Sequence, residues 1–360
     1  MDIVLDKFSI HFLSVKNDSP EIKVDNGKIK DDDINNYIKH IIKETMTPSK
    51  NQQLIKGQYF KFQNMNELVA SNLKKIVLDS MNDEWLKLTT ENASKLLCVE
   101  KRAQDEIAKL NQEIRSGSLL QIKCRLNEQI TLFLIKIDDN TFLDSSMMEY
   151  KTGLPVKTRM QKVAIIKFNE RSEVESLLIS DTNATISKYW KIDFLLTEPL
   201  RNDKTNTNNA FNAIDKLLKS SIKNKSLKDF YFIRNQLIID FRKESFDFNN
   251  WVENLKSYEP VNREKLDEKT YTKFITELEE LPSKSKDAFD TQFDIEPNII
   301  KAKLNNKIII DDNFELTIKG EVTDLRDKLG TGIDAETNKK YIKIYSDEGY
   351  NMLENNKPAT

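Results

Sequence analysis

Histidine and cysteine are nearly missing from this 360-residue chain, with two of each. Cys98 and Cys124 stand too far apart for a CxxC metal knuckle and are too few for a disulfide framework, so both read as ordinary buried residues. His11 and His40 alone cannot supply most histidine-based metal sites, and a Ser-His-Asp arrangement would depend on one of them. No metal or cofactor is implied. Glycine is also scarce, at eight residues, and none sits in a Walker frame before a lysine and a serine or threonine. Gly330-Thr331-Gly332 follows a helical stretch and reads as its C-terminal cap. Long apolar runs are lacking too. A transmembrane helix needs about 20 such residues. The start MDIVLDKFSIHF places acids where a signal peptide needs a basic region, so the expectation is a cytosolic chain without a membrane segment.

What the chain has in abundance is charge. Basic residues number 56 and acidic residues 58, together 32% of the chain against 38% hydrophobic, a soluble globular composition. The net charge of −2 hides a partition: residues 1 to 150 sum to −2, 151 to 230 to +6, 231 to 300 to −5, and 301 to 360 to −1. Such segregation can present an attractive field to a polyanion over one face, or the two middle stretches can pair with each other in the fold.

The hydrophobic pattern divides the chain. Ile3, Leu5, Phe8, Ile10 and Phe12 suggest one strand with an irregularity. Asp31, Asp32 and Asp33 open a helix through Ile34, Ile38, Ile41 and Ile42, where acids cap rather than ligate. Helices are expected over 65 to 79 and about 91 to 115, the second with a short heptad-like stripe and Gly117 at its end. The period then switches to two. LLQIKCRL (119 to 126) and QITLFLIKI (129 to 137) form a hairpin around Asn127 and Glu128, with further strands at 161 to 168, 175 to 180 and 188 to 196. RNDKTNTNN after Pro199 reads as a linker, followed by helices centred on Phe211, Phe230 and Tyr271. The last strands, IIKAKLNNKIIID and ELTIKG, pair as a hairpin with the helical turn TDLRDKL behind it. The expected fold class is α+β: an N-terminal mixed sheet with packed helices over 1 to 200, a helical domain over 201 to 298, a C-terminal β-hairpin module over 299 to 345, and a tail over 346 to 360.

For chemistry, lysines are the main resource. Lys216, Lys219, Lys223, Lys225 and Lys228 crowd into thirteen positions, the first three on one helix face by their spacing. Lys157, Arg159 and Lys162, with Lys167, make a second basic group in and beside a strand, where only some can point outward together. Either group could neutralise phosphates and release counterions; the alternative is a solvated basic face. A divalent-metal-dependent nuclease would need separated carboxylates converging with a lysine, and Glu21-Ile22-Lys23 and Asp267-Glu268-Lys269 offer only fragments of that arrangement.

The segment 293 to 329 resembles the end of the bacterial nucleoid-associated protein family typified by YejK, also called NdpA. The agreement lies in Thr317-Ile318-Lys319-Gly320, followed by Leu325-Arg326-Asp327 and Leu329. Phe8-Ser9-Ile10-His11 and the order of elements are compatible with it over most of the chain. Glu321-Val322 replace a proline-containing connection, and residues from about 331 extend past the family's usual end. The resemblance implies a cytoplasmic, nucleoid-located protein with double-stranded DNA as partner, no cofactor and no catalytic residues. Lys319 and Arg326 could contact phosphate or fix the hairpin, Arg326 pairing with Asp324 or Asp327. The expectation is therefore weak, largely sequence-independent DNA binding. An alternative is an adaptor recruited to the nucleoid by a DNA-topology enzyme or another DNA-bound protein, with homodimerisation an option.

Overall fold

A computed structural model describes residues 2–25, 32–46, 55–79, 81, 83–108, 114, 116–138, 140–144, 149–153, 162–284, 287–319, 322 and 325–354. The first part of the chain supplies β1 (Ile3–Leu13), β2 (Glu21–Asp25), α1 (Asp32–Met46), β3 (Gln58–Phe62), α2 (Leu68–Leu78) and α3 (Trp85–Ile107). Then come β4 (Gly117–Leu126), β5 (Gln129–Asp138), β6 (Asn140–Asp144), β7 (Glu149–Gly153), β8 (Lys162–Phe168) and β9 (Val174–Asp181). A π-helical turn (Tyr189–Phe194) and β10 (Thr197–Pro199) follow. The main sheet has eight strands in the order β10-β3-β9-β8-β5-β4-β1-β2. The sheet expected as mixed is antiparallel in each of its pairings. The α+β class holds.

Alternation along β4 and β5 explains why both strands are so apolar: each face is covered. Leu119, Leu132 and Leu134 pack toward α2, α3 and the π-turn, while Leu120, Ile122, Phe133 and Ile135 pack toward α1. The irregularity in β1 is a register shift between Leu5 and Lys7, which lets Leu5 and Phe8 share the α1 face. Asn127 and Glu128 turn the β4–β5 hairpin with φ of 47° and 71°, the left-handed pair a two-residue hairpin requires.

Four expectations change. Residues 188 to 196 are not a strand: Trp190 and Phe194 stack at 4.9 Å on one face of the π-turn and enter the core together, a spacing of four that only a helical turn delivers. RNDKTNTNN is no linker but the start of α4 (Asp203–Leu218), capped by Asn202, whose side chain accepts from the Thr205 N–H at 2.8 Å. Gly330 and Gly332 lie within a strand rather than capping a helix. Cys98 is exposed on α3, and only Cys124 is buried.

After α4 come a second π-turn (Lys219–Lys223), α5 (Leu227–Asp240), β11 (Ser245–Asp247), α6 (Phe248–Lys256), α7 (Glu268–Glu279), β12 (Gln292–Asp294) and α8 (Pro297–Ile300). Their core is aromatic: Phe241 meets Phe211 at 5.2 Å and Phe246 at 4.4 Å, and Phe246 meets Phe293 at 5.7 Å. The chain ends with β13 (Asn305–Asp311), β14 (Phe314–Lys319), α9 (Leu325–Lys328), β15 (Leu329–Ile333), β16 (Lys340–Ile344) and α10 (Asp347–Glu354). β13 pairs with β14 and β15 with β16, each as a separate two-stranded ribbon.

The helical unit docks on the sheet through polar groups. Gly57 donates its N–H to Thr291 Oγ1 (2.9 Å), and its carbonyl accepts from the Thr291 and Gln292 N–H groups (3.1 and 3.2 Å). Its φ of 151°, and the 2.7 Å that would separate a Cβ from the Ile179 carbonyl, admit only glycine. Gln292 is fully buried. Its Nε2 donates toward the carbonyls of Asp181 (3.2 Å), Asn183 (2.5 Å) and Ala184 (2.9 Å), while Oε1 accepts from the Asp181 N–H (3.1 Å). Lys191–Asp294 (3.0 Å), Arg201–Asp290 (2.7 Å) and Lys56–Asp247 (2.8 Å) complete the junction.

Candidate nucleic-acid interface

The lysine-rich stretch folds into one corner. α4 buries Ala210, Phe211, Ile214 and Leu218 at helical spacing, which turns Lys216 outward. The π-turn carries Lys219 and Lys223 outward while Ile222 stays in the core, four residues after Leu218. A π-turn accommodates one more residue than an α-turn, so the three lysines fan round the corner instead of forming a single file. Lys225 and Lys228 follow, both exposed.

Asp229 anchors the start of α5. The Ser226 hydroxyl donates to it at 2.5 Å, the Tyr258 hydroxyl at 2.6 Å, and the N–H groups of Val261 and Asn262 at 2.7 and 3.2 Å. Burial alone would raise its pKa, but these hydrogen bonds to the carboxylate outweigh it and hold the group below its ordinary value. Ser226 also accepts from the Asp229 N–H at 3.2 Å as N-cap of α5. The acid beside the lysines is thus consumed by structure.

Lys219 pairs with Asp215 (2.5 Å), which also accepts from Arg234 Nε (2.6 Å). Lys223 lies over the Phe230 ring at 5.7 Å. Among the described residues, Lys216, Lys223, Lys225 and Lys228 make no ion pair. Acids of α7 border the corner: Glu277 accepts from Ser221 Oγ at 3.4 Å, and Lys225 helps hold the Asp267 carboxyl low, after its hydrogen bonds with Thr270. The two oppositely charged stretches of the sequence do meet, but at the junction, through Lys191–Asp294 and Arg201–Asp290, and the 216 to 228 lysines stay outside that pairing.

The other candidates part from this corner. Lys162 is a correction: it is buried, 3.5 Å from Asp181 Oδ2 and 5.3 Å from the Tyr189 ring centroid, and cannot reach a phosphate. Strand pairing places Lys162 directly opposite Lys136 on β5 and Asp181 on β9. Glu100 of α3 and Asp138 each lie 3.6 Å from Lys136 Nζ, so five charged groups share this end of the sheet. Burial pushes the Glu100 carboxyl up, with Lys136 drawing it back. A Cβ on Gly117 would sit 2.7 Å from Lys136 Nζ, so glycine makes the room. Lys157 and Arg159 lie outside the described residues, as do the side chains of Lys319 in β14 and Arg326 in α9.

Sequence reasoning missed the cation that does hold the C-terminal hairpin. Arg234 of α5, buried beside Asp215, donates through Nη1 to the Asn305 carbonyl (3.0 Å) and through Nη2 to the Lys303 carbonyl (2.8 Å). Asn235 Nδ2 donates to the Val322 carbonyl at 3.0 Å. An arginine opening the polar triplet Arg234-Asn235-Gln236 between the apolar runs 230–233 and 237–239 was the available signal.

The nuclease fragments have other uses. Lys23 pairs with Glu21 (2.6 Å) on β2, and Asp267 caps α7. No cluster of three or more metal-ligating side chains occurs among the described residues, and no described helix is long and apolar enough to cross a membrane. No protein-family model matches the chain, and no curated protein matches it.

Proposed function

We propose that this protein binds double-stranded DNA, weakly and with little sequence preference, through the α4–α5 corner. The observation that carries the reading is local: five lysines within thirteen residues are all exposed, four have no ion-pair partner among the described residues, and of the two flanking acids Asp229 is buried under its own hydrogen bonds while Asp215 is held by Arg234 and Lys219. Ammonium groups in that state release counterions from a phosphate backbone at little cost to the protein's own pairing. Flexible lysines on a helical corner touch phosphates and not base edges, which accounts for the lack of sequence preference. A location on the nucleoid in the cytoplasm, and kinship with the YejK-like proteins, belong to this proposal.

A salt titration of DNA affinity tests it. Each phosphate neutralised contributes about −0.9 to the slope of log K against log salt, so replacing Lys216, Lys223 and Lys228 together by Glu should make the slope less negative by about 2.7. All three are exposed, so the loss of stability should stay within about 1 kcal/mol, chiefly from the contact of Lys223 with the Phe230 ring. Flat binding by the parent chain, or an unaltered slope in the variant, rejects the corner as the site. If the purified chain ignores DNA at low salt yet is retained with a nucleoid protein after nuclease treatment, its recruitment is indirect.

A further inference from the structure

The outer row of α4 runs Lys204, Asn208, Asn212 and Lys216, a spacing of four that places all of them on one side of the helix. No acid stands in it. The two acids of α4 are engaged elsewhere: Asp203 accepts from Gln58 Nε2 at 3.2 Å, and Asp215 is held by Arg234 and Lys219. Across the middle of the row lies Lys303, ninety-one positions from Asn212 in the sequence. Its ammonium donates to Asn212 Oδ1 at 2.8 Å and toward Asn208 Oδ1 at 3.4 Å. Asn212 Nδ2 in turn donates to Asn208 Oδ1 at 2.9 Å, which orients both amides with an oxygen toward the lysine.

Amide oxygens are neutral, so they hold the ammonium in place without cancelling its charge. A free lysine gives up rotamer freedom when it meets a phosphate, and Lys303 has given up part of it already on folding. Lys307 on β13 is the contrasting case: it pairs with Glu315 at 2.9 Å, and its charge is offset. Nor does Lys303 need its side chain to fasten its own turn, because Arg234 already holds the Lys303 and Asn305 carbonyls. Lys204, Lys216 and Lys303 are all exposed, and none makes an ion pair among the described residues. From Lys204 to Lys216 the row covers about 18 Å at about 1.5 Å per residue, the rise of about five base pairs, and the Lys219–Lys223 turn continues it. Phe211 is the one aromatic residue between Lys204 and Lys228, and it is buried, so the strip offers phosphate contacts and no surface on which an unpaired base could stack.

We infer that Lys303 and Lys204 are further phosphate contacts, and that a duplex lies along the outer row of α4 from its first turn to the corner. The inference rests on the DNA reading above, and salt titrations of full-length variants on one duplex separate the two. Lys204→Gln with Lys303→Gln should make the slope of log K against log salt less negative by about 1.8, which over a tenfold range of salt amounts to about sixtyfold in affinity. Asn212→Asp is the sharper probe. It keeps Lys303 and tightens the hold on it while cancelling its charge, so the slope should become less negative by about 0.9 and thermal unfolding should stay where it is or move upward. A lysine that only braces β13 against α4 would leave the slope of Asn212→Asp unchanged. Should Lys303→Gln loosen that brace, faster amide hydrogen exchange in β13 reports it, and Asn212→Asp, which preserves the contact, decides. An unaltered slope in Asn212→Asp, or in the double glutamine variant, overturns the inference and leaves the corner variant to decide the reading it rests on. A parent chain that does not bind DNA overturns both.

Discussion

Replacing Gln292 by Glu preserves the shape of the side chain and inverts its hydrogen-bonding character. In the native junction the amide Nε2 faces three carbonyl oxygens, and the site is closed to solvent. A carboxylate there would confront those oxygens with negative charge, so the variant folds only with the acid protonated. Protonating a carboxyl whose ordinary pKa is about 4.3 costs about 1.36 kcal/mol for each pH unit above that value, or about 3.7 kcal/mol at pH 7. The protonated acid also has one donor where the amide had two, a further loss of about 1 kcal/mol. The expected deficit is about 5 kcal/mol at pH 7, comparable with the whole stability of a small domain. Its pH dependence follows from linkage: the folded carboxyl has a raised pKa, so the folded state holds a proton that the unfolded state releases. The penalty is therefore small below about pH 4 and grows by about 1.36 kcal/mol per unit as pH rises toward the folded pKa. Urea unfolding followed by tryptophan fluorescence serves as the assay, because Trp190 reports on the sheet unit and Trp251 on the helical unit. Gln292→Met, which is uncharged, is the control and should show a deficit independent of pH. A Glu variant less than about 1 kcal/mol destabilised at pH 7, or equally destabilised at every pH, would refute the reasoning.

Arg234→Lys retains the charge beside Asp215 but cannot reach two carbonyls at once; it should cost about 1.5–3 kcal/mol and speed amide hydrogen exchange in β13 and β14, so unchanged exchange there would show that the hairpin is held by something else. Asp229→Asn should remove an acid-sensitive part of the stability: the depressed folded pKa stabilises the parent at and above the usual carboxylate range, and that contribution is lost as pH falls from about 4 through the folded pKa, so stability curves of parent and variant should start to converge only below about pH 4. Gly57→Ala forces a side chain into a backbone region L-residues rarely adopt and against the Ile179 carbonyl; a loss of about 2 kcal/mol or more is expected in thermal unfolding, and a neutral result would mean the turn can rebuild itself.

The parts of the fold that were legible are those whose period is pure. β4 and β5 were read within two residues because each alternates between two apolar faces, and the exposed state of the corner lysines followed from the burial of Phe211, Ile214 and Leu218 three and four residues apart. The start of α4 was misread because its buried face is polar: Asn206 is buried to bond Asp290 within the helical unit, a partner 84 positions away that no local window contains. Lys162 failed for the same reason. Strand alternation says that it shares a face with Ala164 and Ile166, but only the pairing of β8 with β9 places Asp181 against it. β3 went unseen because five residues, QYFKF, make a strand only between β9 and β10. The π-turn at Tyr189–Phe194 has the aromatic content of a strand, and its identity is settled by stacking of Trp190 on Phe194.

The charged end of the main sheet also bears on how this sequence can change over generations. Lys136 and Lys162 face one another across adjacent strands, and Glu100, Asp138 and Asp181 offset them. Losing either lysine strands carboxylates in a dry setting, so a single-step route away from the arrangement through Lys136 or Lys162 passes through a damaged protein. Drift at these five positions should therefore come in blocs, one substitution waiting on another, and related chains would be expected to keep the whole set or to have traded it together for apolar residues of similar volume.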